Sequence, residues 1–195
     1  MNMLNLKKND ILNLTKEDPS LNKIMLGAGW DVAEKKGFFN FGAKDYDLDL
    51  TAFLLDSDEK LIHKGIIYFG QQKGKGIMLH GDNLTGEGEG DDEKISVELD
   101  KLPADCKRVL FAVIIYGAEK RKQSFSGVKN AYVRLIDEDK RGAEICRYNL
   151  SEDGGDNTAI YFAELIKEGD HWQFKAKGEF VKGTLQTMAD MYRRR

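Results

Sequence analysis

Apolar and polar residues alternate with period two along much of the chain, the pattern of strands that bury one face. Tyr46, Leu48, Leu50, Ala52 and Leu54 share one face of such a segment. Ile95, Val97 and Leu99 alternate with Lys94, Ser96 and Glu98, and Trp172, Phe174 and Ala176 with Gln173, Lys175 and Lys177. Two runs, 108–116 and 159–166, are apolar on both faces, as central strands of a packed sheet are. Further strands are predicted at 23–30, 61–69, 130–137 and 144–149, with turn clusters at 56–58, 70–76, 137–142 and 151–157. The pattern switches once to helical spacing, at Leu185, Met188 and Met191, which predicts a helix over 184–192. About ten strands separated by turns argue for an all-β fold, a sandwich of two sheets with short helical connections and a C-terminal helix. Without a repeat or a linker, residues 1–195 are expected to form one domain.

Composition narrows the function classes. Lys plus Arg total 30 against 33 Asp plus Glu, a net charge of −3, so no overall positive field exists to attract nucleic acid. The three arginines at 193–195 suit the negative end of the helix dipole better than a nucleic-acid role. No stretch approaches the ~20 apolar residues of a membrane span, and the first residues lack the long apolar run of a secretory signal. Cys106 and Cys146 are too few for a disulfide framework and have no CxxC spacing, so reduced thiols and a cytoplasmic setting are expected. His63, His80 and His171 show no zinc spacing.

One segment carries unusual chemistry. Residues 81–93 read GDNLTGEGEGDDE, with six acids, four glycines and no basic residue. So many carboxylates repel one another unless a cation neutralises them. The glycines free the backbone to turn carbonyl oxygens toward the same point. Hard oxygen donors on such a loop are what calcium takes, six to eight at roughly 2.3–2.6 Å. The EF-hand spacing fails from Asp82. Asp47 and Asp49, two apart on a strand, leave the same face, which turns apolar at Phe53 and Leu55. Asp31 is a third carboxylate at a strand exit, and a sandwich could gather such ends on one rim.

The run GDNLTGEGEGDDE resembles the signature loop of the TerD family of bacterial tellurium-resistance and stress proteins. The resemblance covers nearly the whole chain. It includes LTKEDPSLNKIMLGAGWDV at 14–32, DLDLTAFLLD at 47–56, LPADCKRVLFAVIIYGAE at 102–119 and NAYVRLID at 130–137. RYNLSED at 147–153 and TAIYFAELIKEGDHWQFKAKG at 158–178 complete it. What it implies is a noncatalytic calcium-binding sandwich in tellurite and stress resistance, acting through other stress-response proteins. By position the resemblance implies metal ligation by Asp31, Asp47, Asp49, Asp82, Asn83, Glu87, Glu89, Asp91, Asp92 and Glu93. Leu84 and Gly86 are candidate carbonyl donors, and two calcium ions are expected, with water completing their shells. Two departures from the family stand out. Gly117 replaces an acid that many members carry after the tyrosine of a central strand, which would weaken one site. The stretch 69–77, FGQQKGKGI, is basic through Lys73 and Lys75.

Other readings compete with this one. A carboxylate rim on a sandwich also resembles a C2-type adaptor, in which calcium bridges the protein to anionic lipid at a membrane surface. Paired carboxylates could serve a glycosidase-like hydrolase, but Trp30, Tyr46 and Tyr68 alternate with apolar residues and read better as core. No nucleophile signature is present, and nothing in the pattern fixes an oligomeric state.

Overall fold

The structure is a computed structural model that describes residues 4–32, 46–81 and 90–193. Thirteen strands are found among them. β1 (Leu4–Leu6), β2 (Ile11–Asn13), β3 (Lys23–Val32), β4 (Leu48–Leu55), β5 (Leu61–Ile67), β6 (Lys73–Gly74) and β7 (Ile77–Leu79) form the first half. β8 (Glu93–Glu98), β9 (Arg108–Ile115), β10 (Val128–Asp137), β11 (Ala143–Asn149), β12 (Ala159–Glu168) and β13 (His171–Val181) follow. Three short helices, α1 (Leu14–Glu17), α2 (Ala118–Arg121) and α3 (Leu185–Tyr192), connect or close the strands.

The strands form two sheets, ordered β1-β11-β10-β3-β8-β7-β6 and β2-β13-β12-β9-β4-β5. All pairings are antiparallel except β1 on β11. The two-sheet expectation holds, and alternation decides what lies between the sheets. In β8, Glu93, Ile95 and Val97 are buried while Lys94, Ser96 and Glu98 are half-exposed. Ile95 and Val97 share one core with Leu26, Ala28, Val133 and Leu135 of their own sheet, and with Leu50, Leu54, Phe111, Phe162 and Phe174 of the other.

The outer face of the second sheet is apolar too. Phe53, Leu55, Leu110, Ala112, Ile114 and Tyr161 form a separate cluster there, covered by Met188 and Ala189 of α3. That layer is why β9 and β12 read as apolar on both faces. Each fully buried side chain of this size is worth roughly 1.5–3 kcal/mol. Thr184 starts α3 by a reciprocal cap: its hydroxyl accepts from the Thr187 amide, and the Thr187 hydroxyl accepts from the Thr184 amide at 2.8 Å. Met191, expected on the buried stripe, is exposed; Leu185, Met188, Ala189 and Tyr192 make the covering face instead. Arg193 pairs with Asp190 at 2.9 Å.

Strand β5 lies at the edge of the second sheet and ends two residues before Phe69, earlier than the pattern suggests. The turn region after it holds the short strand β6, and the Gln71 side-chain amide donates to the carbonyls of Lys64 and Ile66, at 3.0 and 2.7 Å. Lys64 itself has a left-handed φ of 54°. Among the described residues no helix is long and apolar enough to cross a membrane. Both cysteines are buried free thiols, and burial pushes each up to about 12, so neither is a thiolate at neutral pH.

Candidate metal-binding rim

Strand β3 ends beside the point where the acidic run re-enters the described structure. Leu26 and Ala28 of β3 point into the core, so Gly27 and Gly29 lie on the outer face, opposite Arg134 and Tyr132 of β10. A methyl group on Gly27 would sit 2.3 Å from the Asp91 carboxyl carbon, and one on Gly29 would sit 2.5 Å from the Tyr132 ring. Only glycine leaves room for both.

The three acids that close the run then diverge. Asp91 turns onto the outer face, where Arg134 grips it with both arms: Nε to Oδ1 at 2.7 Å and a terminal nitrogen to Oδ2 at 2.9 Å. Its side chain is fully buried. The Tyr132 hydroxyl donates to the Gly90 carbonyl at 2.9 Å and reaches Asp91 Oδ1 at 3.2 Å. Asp92 continues the sheet edge, its amide donating to the Ala28 carbonyl and its carboxylate accepting from the Trp30 amide, both at 2.8 Å. Glu93 points inward and accepts from the Leu50 amide of the opposite sheet. It thereby ties the start of β4 to β8.

Asp31 lies in β3 itself, one residue past Trp30, and accepts from the Asn130 side-chain amide at 2.7 Å. Asn130 adopts a left-handed φ of 50° where the β3–β10 register shifts, which aims its amide at Asp31. Burial holds the Asp92 carboxyl above its ordinary value. The bond from Trp30 opposes the shift, while the negative charges of Asp31 and Asp91 add to it. Through its bond to the Trp30 amide, Asp92 lies against the end of β3 that carries Asp31.

Behind Arg134 the polar layer is closed. Glu144 accepts from Arg134 at 3.1 Å and from Arg147 at 2.9 and 3.0 Å, and the Arg147 guanidinium lies 4.4 Å from the Tyr132 ring centre. The Arg147 bonds, and then Arg134, hold Glu144 below its ordinary value of 4.5. A depressed carboxylate contributes stability that is present above that value and lost as pH falls through the lower one. Glu144→Gln is therefore expected to flatten the acid side of the stability curve, read as urea midpoints from pH 6 to pH 3. An unchanged acid limb in the variant contradicts this.

Asp47 and Asp49 take another direction. Asp47 precedes β4; its carbonyl accepts from the Tyr116 amide at 2.7 Å and its carboxylate lies 3.5 Å from Arg121. Asp49 alternates with the inward Leu48 and Leu50, so it faces the outside of the second sheet. There it lines a cavity of about 250 Å³ with Thr51, Phe69, Tyr116, Gly117 and Leu185. The start of β4 does meet the acidic run through Glu93, but Asp49 and Asp91 open on opposite faces of the sandwich. Asp82, Asn83, Leu84, Gly86, Glu87 and Glu89 lie outside the described residues. Among the described residues no group of three or more His, Cys, Asp or Glu side chains could hold a metal ion. What they offer is all-oxygen, a donor set that suits calcium rather than a thiophilic metal. His80, next to the run, is bonded to Ser96 at 2.8 Å, and Lys73 and Lys75 are exposed.

The sequence matches the TerD domain over residues 1–192. This chain belongs to the TerD family. It is 36% identical over 192 residues to tellurium resistance protein TerD of Serratia marcescens, covering 97% of this chain and 96% of that protein. It is 39% identical over 192 residues to general stress protein 16U of Bacillus subtilis (strain 168), with the same coverages. Its fold is similar to the crystal structure of a homologue of telluride resistance protein (TerD) from Streptomyces coelicolor A3(2), with a TM-score of 0.66. That match has 19% identity and covers 87% of this chain and 96% of the other. These TerD relatives are named for resistance or stress response, not for an enzymatic activity.

Arg134, Tyr132, Gly27 and Gly29 were not among the candidate site residues. The signal for them was GAGW, since alternate glycines in an apolar strand mark close approach by another group.

Proposed function

We propose that this TerD-family chain is a noncatalytic calcium-binding protein of the stress response that acts through partner proteins. The observation that supports it best is the bond from the Trp30 amide to Asp92, which sets the end of the acidic, glycine-rich run against the strand end that carries Asp31. A divalent cation there offsets the repulsion between Asp31 and Asp92 with attraction. Asp31 and Asp92 would hold the ion, with Asp82, Asn83, Glu87 and Glu89 as further oxygen donors and the carbonyls of Leu84 and Gly86 beside them. Bound there, calcium would supply positive charge and cross-link the run to β3.

A second, weaker ion is assigned to Asp47 and Asp49. Arg121 already lies 3.5 Å from Asp47, and Gly117, which lines the same cavity as Asp49, brings no carboxylate. Calorimetric titration with calcium, joined to native mass spectrometry, tests both assignments. One tight and one weak site are expected. Arg121→Gln should strengthen the weak site by roughly fivefold, the equivalent of about 1 kcal/mol for one charge at this distance in water. No heat and no added calcium mass would overturn the calcium reading, and a weak site indifferent to Arg121 would move it away from Asp47.

A further inference from the structure

We propose that Asp91, Tyr132 and Arg134 are not part of the metal's ligand set but form a clasp that positions it, an inference that rests on the calcium reading above. Four observations carry it. Both Asp91 oxygens are held by the two arms of Arg134, at 2.7 and 2.9 Å. The Asp91 side chain has no exposed surface, so an ion could reach it only by displacing the half-buried Arg134 guanidinium. Gly27 is bare where that carboxylate lies, and Gly29 is bare under Tyr132. The Tyr132 hydroxyl, finally, holds the carbonyl of Gly90, the residue just before Asp91.

The clasp fixes residues 90 and 91 against β3 and β10, and Asp92 is the next residue. With Asp91 pinned to the outer face, the Asp92 amide falls on the Ala28 carbonyl and its carboxylate on the amide of Trp30, the residue before Asp31. Glu144 braces Arg134, and Arg147 braces both Glu144 and the ring of Tyr132. These are positioning residues: they act on the metal through the placement of Asp92.

The clasp predicts a sign that charge alone reverses. A guanidinium near a cation site repels the cation, so a purely electrostatic Arg134 should weaken binding and its removal should tighten it. If Asp91 were a ligand, Arg134 would compete with the metal, and its removal should again tighten binding. A positioning Arg134 does the opposite. Calcium titration of the full chain, with bound ions counted by mass, separates these cases. Arg134→Met is expected to weaken the tight site by about tenfold or more, in the range found when groups that orient metal ligands are removed. The number of ions should stay the same. Asp91→Asn should weaken it in the same direction, and the double variant should weaken it clearly less than the sum of the two in free energy, because both break one device.

Tyr132→Phe removes a single hydroxyl, leaves the ion pair in place and should weaken the tight site by a smaller factor. It keeps the test decisive if the larger changes unfold the chain. The proposal is overturned if Arg134→Met binds calcium as tightly as the original chain or tighter, or if Tyr132→Phe leaves affinity unchanged. It is also overturned if Asp91→Asn alone loses an ion. If the unaltered chain binds no calcium, the reading of the rim falls first and the clasp falls with it as a calcium device.

Discussion

Calcium at about a thousand times its dissociation constant is expected to raise the melting temperature by about 10 °C, and a chelator to reverse the shift. Binding to the folded chain alone stabilises by roughly 4 kcal/mol at that excess, and each kcal/mol moves a chain of this size by about 2–4 °C. The unfolded chain is a poor competitor, because Asp92 is set against the end of β3 that carries Asp31 only when β3 and β8 are paired. Asp31→Asn with Asp92→Asn keeps the shape and removes two charges. That variant should melt slightly above the original chain without metal, since repulsion at a half-buried carboxylate is relieved. It should lose most of the calcium-induced shift. The opposite signs of the two changes mark a cation site, whereas for an acidic surface both would be small. Asp47→Asn with Asp49→Asn should remove only the weaker increment. A variant at Asp31 and Asp92 that keeps the full shift would place the ion elsewhere.

The second large effect should come from one methyl group. In an ordinary strand, Gly→Ala is mildly favourable, by roughly 0.5–1 kcal/mol. Gly27→Ala should instead cost about 3 kcal/mol, since its methyl carbon would lie 2.3 Å from the Asp91 carboxyl carbon. Either the carboxylate leaves Arg134 or β3 separates from β10. The first course leaves a fully buried charge without its partner, and losing one partner of a buried pair costs about 3–5 kcal/mol. Denaturant midpoints give the comparison directly. Gly81→Ala, with nothing among the described residues within 4 Å of the added methyl, is the control and should change little. A Gly27→Ala chain as stable as the original would mean that Asp91 can move away at no cost.

What was legible in the sequence was what repeats locally. Strands β4, β8 and β13 announce themselves by period two, and β9 and β12 by apolar residues on both faces, which proved to be a core on one side and α3 on the other. Strands β1, β2 and β7, of three residues, and β6, of two, are too short for any period to register. α1 and α2, of four residues each, are set by the turns around them. The carboxylates of the rim were legible as a group but not as individuals. The run gives three acids in a row, and only the pairing of distant strands assigns one to Arg134, forty-three residues on, one to Trp30 and one to Leu50. Likewise Asp49 shares the face of Phe53 and Leu55, as alternation predicts, but alternation within one strand does not say on which side of the second sheet that face lies.

The amide of Gln71 bears on how this molecule behaves at high concentration. A strand at the border of a sheet offers its carbonyls to any extended chain that drifts alongside, and that is how folded proteins begin to stack into fibres. Here one side chain occupies two successive acceptors of β5, at Lys64 and Ile66. The left-handed kink at Lys64 also bends the line that an incoming strand would need to follow. Along this border the chain is thereby a poor template for any extended segment with exposed backbone.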